Sequence, residues 1–452
     1  MKPTLILINP WIYDFAAYDM WSKPLGLLYV AGFLRECGFD IQVVDCMDVH
    51  ATGMKEFSSQ AHPVRRLYGT GKFWRKEIPK PAPLAHINRT YSRYGIAKQL
   101  FIQKLLKIED PSAILVTSLM TYWYPGVREA INLAKETYPG LPVILGGAYA
   151  RLCKEHAVMS SCADCVVSEG TIHDQGPLLE ALKQFGIYAP KGCHSVDGTP
   201  WPAFDLLRKL DYICIATSTG CPYRCHYCGS RFLNPTFTQR KPSEVIEEIR
   251  YWNEKFGIKD FAFYDDALLV DSGSHIKIVL NGLMESGLSL RFHTPNALHV
   301  REISQEIAGL LYRSGFRTIR LGLETADIGL HNDLDRKVSD GEFERAVRNL
   351  TNAGFDSRDI GSYILMGLPG QSVESVVNTL NFVADTGTSP YLAEYSPLPH
   401  TPLWQKAIAC SNYDIAAEPL FHNNSLLPCW DEEKRLQVQE LKRIVREIRT
   451  AC

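Results

Sequence analysis

Ser218-Thr219-Gly220-Cys221-Pro222-Tyr223-Arg224-Cys225-His226-Tyr227-Cys228-Gly229 is the stretch on which the reading of this chain turns. Its three cysteines, spaced C-x3-C-x2-C, follow a β-branched, apolar run over 212–217 that reads as a strand. Thiolates hold iron–sulfur clusters, and a four-iron cluster normally takes four of them. Three in one short loop hold three irons and leave the fourth open to a small ligand that can receive an electron. The alternatives are a zinc site or buried structural thiols. Zinc needs a fourth ligand, and His226 lies inside the tight loop, badly placed to close a tetrahedron.

Downstream of the cysteines, helices are expected over 242–256, 274–286, 304–314, 341–353 and 372–386. Strands are expected over 261–264, 290–293, 318–322, 362–366 and 391–395. With the strand before the cysteines this gives six strands in βα order, an α/β partial (β/α)6 barrel over 211–402. Chemistry in parallel βα folds sits at the carboxyl ends of the strands. Polar and glycine-rich turns gather there: Asp265-Asp266, Thr294-Pro295-Asn296, Glu324 and Gly367-Leu368-Pro369-Gly370. Each also has a plain structural use. The aspartates suit a helix N-cap, Glu324 suits pairing with Arg317 or Arg320, and Gly-Leu-Pro-Gly is an ordinary turn.

Upstream, strands over 5–8, 41–45, 113–117, 143–145 and 165–167 alternate with helices over 25–36 and 126–138. That order makes an open parallel, Rossmann-like sheet over 1–190, which binds ligands beyond the carboxyl ends of its strands. The loop from Asn9 to Pro24, Ser118, Gly146-Gly147-Ala148-Tyr149 and Glu169-Gly170 crowd that edge. An insertion over 50–110 carries Tyr68-Gly69-Thr70-Gly71-Lys72-Phe73-Trp74-Arg75. It lacks the G-x-x-x-x-G-K-[ST] spacing of a phosphate loop, and its aromatic and basic residues suit substrate contacts or packing equally. Trp201-Pro202-Ala203-Phe204-Asp205 falls in an expected linker over 191–210. Residues 403–452 form a short helical extension, with one amphipathic helix over 432–449 whose stripe is Leu441, Ile444, Val445 and Ile448.

The 452 residues suffice for two or three domains, and the net charge of −2 gives no signal for nucleic acid. Thirteen scattered cysteines fit metal ligands in a reducing cytoplasm better than a disulfide scaffold. Cys37 and Cys193 are isolated in sequence, and Cys162 and Cys165 read as inert buried thiols. No stretch approaches the apolar length of a membrane span, and the short apolar run at the N-terminus reads as a strand rather than a signal sequence. A cytoplasmic location is expected.

Taken together, the motifs from Thr217 to Pro402 closely resemble the radical S-adenosylmethionine (SAM) enzymes. The order of Asn9-Pro10, Lys23-Pro24-Leu25-Gly26-Leu27, the Gly-Gly turn and the Glu-Gly turn resembles the cobalamin-binding domain attached to many of them. Tyr149 stands where that family often has His, Ser168 where it often has Gly, and no D-x-H-x-x-G occurs. In its place is the aromatic loop from Pro10 to Trp21, which either packs on the lower face of a corrin or covers the end of the sheet. The resemblance implies a 4Fe-4S cluster on Cys221, Cys225 and Cys228. It implies SAM contacts from Tyr227, Asp265, Asp266, Asn296, Glu324, Gly367 and Leu368. For cobalamin it implies Asn9, Trp11, Tyr13, Leu25, Gly26, Ser118, Gly146, Gly147, Tyr149, Glu169 and Gly170.

The implied activity is cleavage of SAM to a 5′-deoxyadenosyl radical and, through methylcobalamin, C-methylation of an unactivated carbon. The substrate is a peptide, a protein or a small molecule, and the electron donor is of the ferredoxin or flavodoxin type. Rearrangement, cyclisation or oxidation without methyl transfer is the rival among enzymes, and a cobalamin- or cluster-based sensor is the rival outside them. No catalytic acid or base is singled out. Methylthiotransfer is disfavoured because no second three-cysteine group is present in the N-terminal domain.

Overall fold

Five parallel strands organise the N-terminal half: β1 (Thr4–Asn9), β2 (Asp40–Asp45), β3 (Pro111–Val116), β4 (Val143–Leu145) and β5 (Cys165–Val166), in the order β5-β4-β3-β1-β2. Leu5, Ile6, Leu7 and Ile8 are all inaccessible, as expected for a parallel strand covered on both faces. Three main helices serve this unit, α1 (Leu25–Glu36), α2 (Tyr124–Thr137) and α3 (Gly176–Gln184). The strand order reverses between β1 and β3, which places a crevice at their carboxyl ends. The computed structural model describes residues 2–191, 193 and 200–451. It divides into two units, Met1–Asp211 and Tyr212–Cys452.

Three features of this unit differ from what the sequence led us to expect. Cys37 and Cys193, isolated in sequence, form a disulfide across 156 residues with a Cα–Cα distance of 5.5 Å. Returning chain is held at the end of α1, where Lys191 N–H donates to the Cys37 carbonyl at 3.0 Å. Trp201–Asp205 does not act as a free connection: Ala203 N–H donates to Leu28 O at 3.0 Å, and Arg35 pairs with Asp205 at 2.7 Å. A Cβ on Gly32 would lie 2.3 Å from the Trp201 carbonyl oxygen, so this packing requires glycine. Residues 192 and 194–199 of the expected linker, and Cys452, lie outside the described residues. Cys162 is exposed, and Cys165 is half-buried, packing from the edge strand β5 against the core of the unit.

The insertion folds back onto the aromatic loop. Ile12–Asp14, Ser92–Tyr94 and Arg75–Glu77 make a three-stranded antiparallel sheet, and Ile12, Met47, Val49, Phe73 and Tyr94 form a small core.

In the second unit six parallel strands run in sequence order: β6 (Ile213–Ile215), β7 (Asp260–Phe263), β8 (Arg291–His293), β9 (Phe316–Glu324), β10 (Ile360–Met366) and β11 (Ser389–Glu394). Crossover helices α4 (Pro242–Phe256), α5 (Ile276–Glu285), α6 (Gln305–Ser314), α7 (Glu342–Ala353) and α8 (Val373–Asp385) return the chain between them. Their ends carry the expected signals. Ser304 and Ser372 accept hydrogen bonds from N–H groups three residues on, and Gly257 and Gly315 take left-handed C-cap conformations. The terminal amphipathic segment is broken at Gln437, giving Glu432–Leu436 and α9 (Val438–Ala451). Leu441 and Val445 are buried, and α9 packs against the edge strand β11 and α8. Among the described residues no helix is long and apolar enough to cross a membrane.

Candidate active site

β6 ends two residues earlier than expected because the chain turns there into a short hairpin. Ser218 pairs with Gln239 and Thr219 with Thr238, and the cysteine loop is the excursion between them. Gly220, at φ +74°, begins that excursion; a Cβ there would meet the Thr236 carbonyl oxygen at 2.5 Å. Below the hairpin Asp265, at the end of β7, is buried and accepts from Thr217 N–H at 3.0 Å, Thr217 Oγ1 at 2.7 Å and Ser218 Oγ at 2.6 Å. Its carboxylate therefore anchors the base of the cysteine loop.

Cys221, Cys225 and Cys228 are free thiols that line one cavity of about 580 Å³ at the carboxyl ends of the barrel strands. Among the described residues no three His, Cys, Asp or Glu side chains converge as a single metal ion would require. The thiols ring a space instead, which suits a cluster in which each thiolate takes a different iron. Burial pushes the Cys225 thiol up to about 12 and raises Cys221 and Cys228 as well. Burial thus disfavours free thiolates at these three positions, and iron would supply the positive charge that displaces their protons.

Two of the SAM residues expected from sequence share this cavity: Asp266, whose carboxylate accepts from Ser230 Oγ, and Asn296, which donates to the Tyr264 carbonyl at 2.9 Å. Five do not line it. Asp265 is committed below the loop. Tyr227 donates to Asp335 Oδ2 at 3.2 Å. Glu324 sits at φ +67° next to a bulge in β9, with its carboxylate 3.8 Å from Lys337 Nζ, so its partner is neither Arg317 nor Arg320. Gly367, at φ +93°, lies beneath Leu427, and the Leu368 N–H donates to Gln371 Oε1 at 3.2 Å.

Lys337 and His299 are cavity residues that no sequence motif announced. Lys337 lies more than a hundred residues beyond the cysteines, outside any periodic pattern. His299 is buried against the Tyr223 ring, centroids 4.2 Å apart, and its Nε2 has no hydrogen-bond partner. Burial, helped by the Lys337 ammonium, pushes its pKa down to about 3, so the ring is neutral. Close to Lys337 in sequence, His331 and Asp335 stand one helical turn apart and form a buried pair at 2.9 Å.

In the first unit the carboxyl-end residues are bound mainly to one another. Asn9 donates to Asp45 at 2.7 Å, and Ser118 Oγ donates to the Gly146 carbonyl at 2.7 Å. Gly147 has φ +96°, and a Cβ there would lie 2.2 Å from Ser118 O. Tyr149 is inaccessible and bonded to His156 at 2.7 Å, not turned toward a ligand. Trp11 and Tyr13, expected to face a corrin, are enclosed by the chain itself. The Trp11 indole donates to Ile96 O at 2.8 Å and packs on Phe101, and Tyr13 bonds Glu129. Leu25 is half-buried, Gly26 and Glu169 are exposed, and Gly170 takes φ +89°. Nothing stands within 4 Å of a Cβ built on Gly26, so this part of the edge is open.

Residues 215–383 match the model of the Radical SAM superfamily. The central domain is a radical SAM domain. Its chemistry uses a 4Fe-4S cluster and SAM, and the three thiols fit that cluster. Over most of its length the chain is similar to proteins named as methyltransferases. An uncharacterized methyltransferase of Pyrococcus horikoshii is 25% identical over 70% of this chain and 74% of its own. The cytidylyl-2-hydroxyethylphosphonate methyltransferase of Streptomyces wedmorensis is 20% identical over 85% and 78%. The radical SAM methyltransferase TsrM from Kitasatospora setae, solved with tryptophan and a SAM analogue, shares the fold. It superposes with a TM-score of 0.67 at 15% identity, covering 99% of this chain and 89% of TsrM. These likenesses place the radical SAM domain in an enzyme of the methyltransferase type.

Proposed function

We propose that this radical SAM enzyme C-methylates an unactivated carbon of a peptide, protein or small molecule, with cobalamin as methyl carrier. The observation that carries the reading is the union, in one chain, of three free thiols around a barrel-end cavity and a parallel sheet of order β5-β4-β3-β1-β2. Two neighbours support it: TsrM was solved with cobalamin and a 4Fe-4S cluster, and OxsB with aqua-cobalamin and SAM. With its cluster and SAM bound, such a site supplies a 5′-deoxyadenosyl radical that abstracts hydrogen. This chain's residues do the rest by position. Cys221, Cys225 and Cys228 fix the cluster, while Asp266 and Asn296 offer an anion and an amide to the polar end of SAM. An external one-electron donor of the ferredoxin or flavodoxin type completes the system, with the cytoplasm as its setting.

The enclosure of Trp11, Tyr13 and Tyr149 favours a second reading, in which the first unit holds no corrin and the radical drives rearrangement, cyclisation or oxidation. Anaerobic reconstitution with hydroxocobalamin, followed by gel filtration, separates the two. Retained corrin, with 5′-deoxyadenosine and S-adenosylhomocysteine both formed from SAM and dithionite, is the expected result. A corrin-free protein that forms only 5′-deoxyadenosine overturns methyl transfer.

A further inference from the structure

Lys337 has no part in the reading above, yet it is the cation built most deeply into the cluster cavity. Its side chain is 12% exposed, and its ammonium donates to Tyr227 Oη at 3.1 Å and stands 3.8 Å from Glu324 Oε1. It lines the same cavity as Cys221, Cys225 and Cys228, and its charge acts on all three thiols. The backbone around it is clamped. Arg301 donates from Nε to Lys337 O at 2.9 Å and from Nη2 to Arg336 O at 2.7 Å, while Lys337 N–H donates to Asp335 Oδ1 at 2.9 Å. Asp335 is in turn paired with His331. These bonds hold one ammonium in the cavity that the three thiols line.

We propose that Lys337 sets the reduction potential of the cluster held by Cys221, Cys225 and Cys228, making it easier to reduce. The inference rests on the radical SAM reading of the cavity. Reduction adds one electron, so the cluster and its thiolates become more negative by one charge. A buried cation nearby stabilises that state more than the oxidised one. Glu324 opposes this effect. Removing Lys337 also leaves the Glu324 charge uncompensated, which deepens the fall in potential. Lys337 is thus a positioning and electrostatic residue rather than a catalytic one.

The test is an anaerobic potentiometric titration of the reconstituted full chain, followed by electron paramagnetic resonance, after iron and sulfide analysis confirms cluster content. Lys337→Met should lower the ratio of reduced to oxidised cluster at a fixed potential about tenfold, a midpoint shift of about 59 mV for one electron. Lys337→Arg should recover most of the shift, and Glu324→Gln should move the midpoint upward. A role limited to packing would give no opposed shifts. A fully loaded Lys337→Met variant with the parent midpoint overturns the proposal. If Lys337→Met assembles no cluster, Glu324→Gln decides, and an unchanged or lowered midpoint there overturns it. A parent chain that holds no cluster refutes the radical SAM reading itself, and this inference with it.

Discussion

Replacing Asp265 by alanine should loosen the whole cysteine loop, and replacing it by asparagine should not. Three donors converge on Asp265 Oδ1: Thr217 N–H at 3.0 Å, Thr217 Oγ1 at 2.7 Å and Ser218 Oγ at 2.6 Å, while Oδ2 receives only the Thr217 N–H, at 3.2 Å. Thr217 and Ser218 are buried, so alanine strands one N–H and two hydroxyls away from water. Each stranded group costs about 1–3 kcal/mol. The hydroxyls can swing to new partners but the N–H cannot, so a net loss of about 3 kcal/mol is expected. Asparagine keeps an oxygen at the Oδ1 position, retains both short hydroxyl bonds and removes a buried charge, for a loss of about 1 kcal/mol. Because the chain has two units, a single global unfolding curve is a poor measure. Hydrogen–deuterium exchange of a peptide spanning 212–229 reads local opening directly. Asp265→Ala should speed exchange about a hundredfold, the kinetic image of about 3 kcal/mol, with a matching drop in iron retained after reconstitution. Exchange unchanged in Asp265→Ala, or equally fast in Asp265→Asn, would refute the anchoring role.

Two further outcomes follow from buried histidines. Burial alone would lower the His331 pKa, but the Asp335 carboxylate at 2.9 Å outweighs it and raises the pKa above 6.5; the same pairing holds Asp335 below 3.8 despite its burial. His331 therefore contributes its full stabilisation below pH 6.5 and loses it as pH rises through the raised value. The Asp335 part is present above pH 3.8 and lost as pH falls through the lowered value. In the cluster-free chain, hydrogen-exchange protection of a peptide spanning 326–338 should fall above pH 6.5, and less steeply in His331→Gln; a parallel fall in parent and variant would exclude the pair as its source. His299→Phe keeps the ring against Tyr223 and removes the unpaired Nε2; cluster content should stay at the parent level while the KM for SAM or the acceptor rises several-fold. An unchanged KM and kcat would show that Nε2 meets no ligand.

The alternation of strands and helices could be read from the sequence, because parallel strands covered on both faces appear as apolar runs separated by amphipathic helices with serine and glycine ends. The three cysteines could be read for a similar reason: ligands supplied by one loop carry their spacing in the chain itself. Asp266 and Asn296 followed from the rule that polar turns collect at the carboxyl ends of βα strands. What the sequence could not reveal depends on contacts between distant segments. Lys337 and His299 reach the cavity only because β9 and the turns beside it bring them there, and neither lies in a recurring pattern. Asp265 and Asp266 are neighbours in sequence, yet alternation along the chain sends one beneath the loop and the other into the cavity. Trp11 and Tyr13 looked like ligand contacts until the insertion closed over them, and Cys37 found Cys193 across 156 residues. Local periodicity and a one-loop ligand set are properties of the sequence. Which polar groups are left facing an empty space is decided only when the tertiary fold has satisfied all the others.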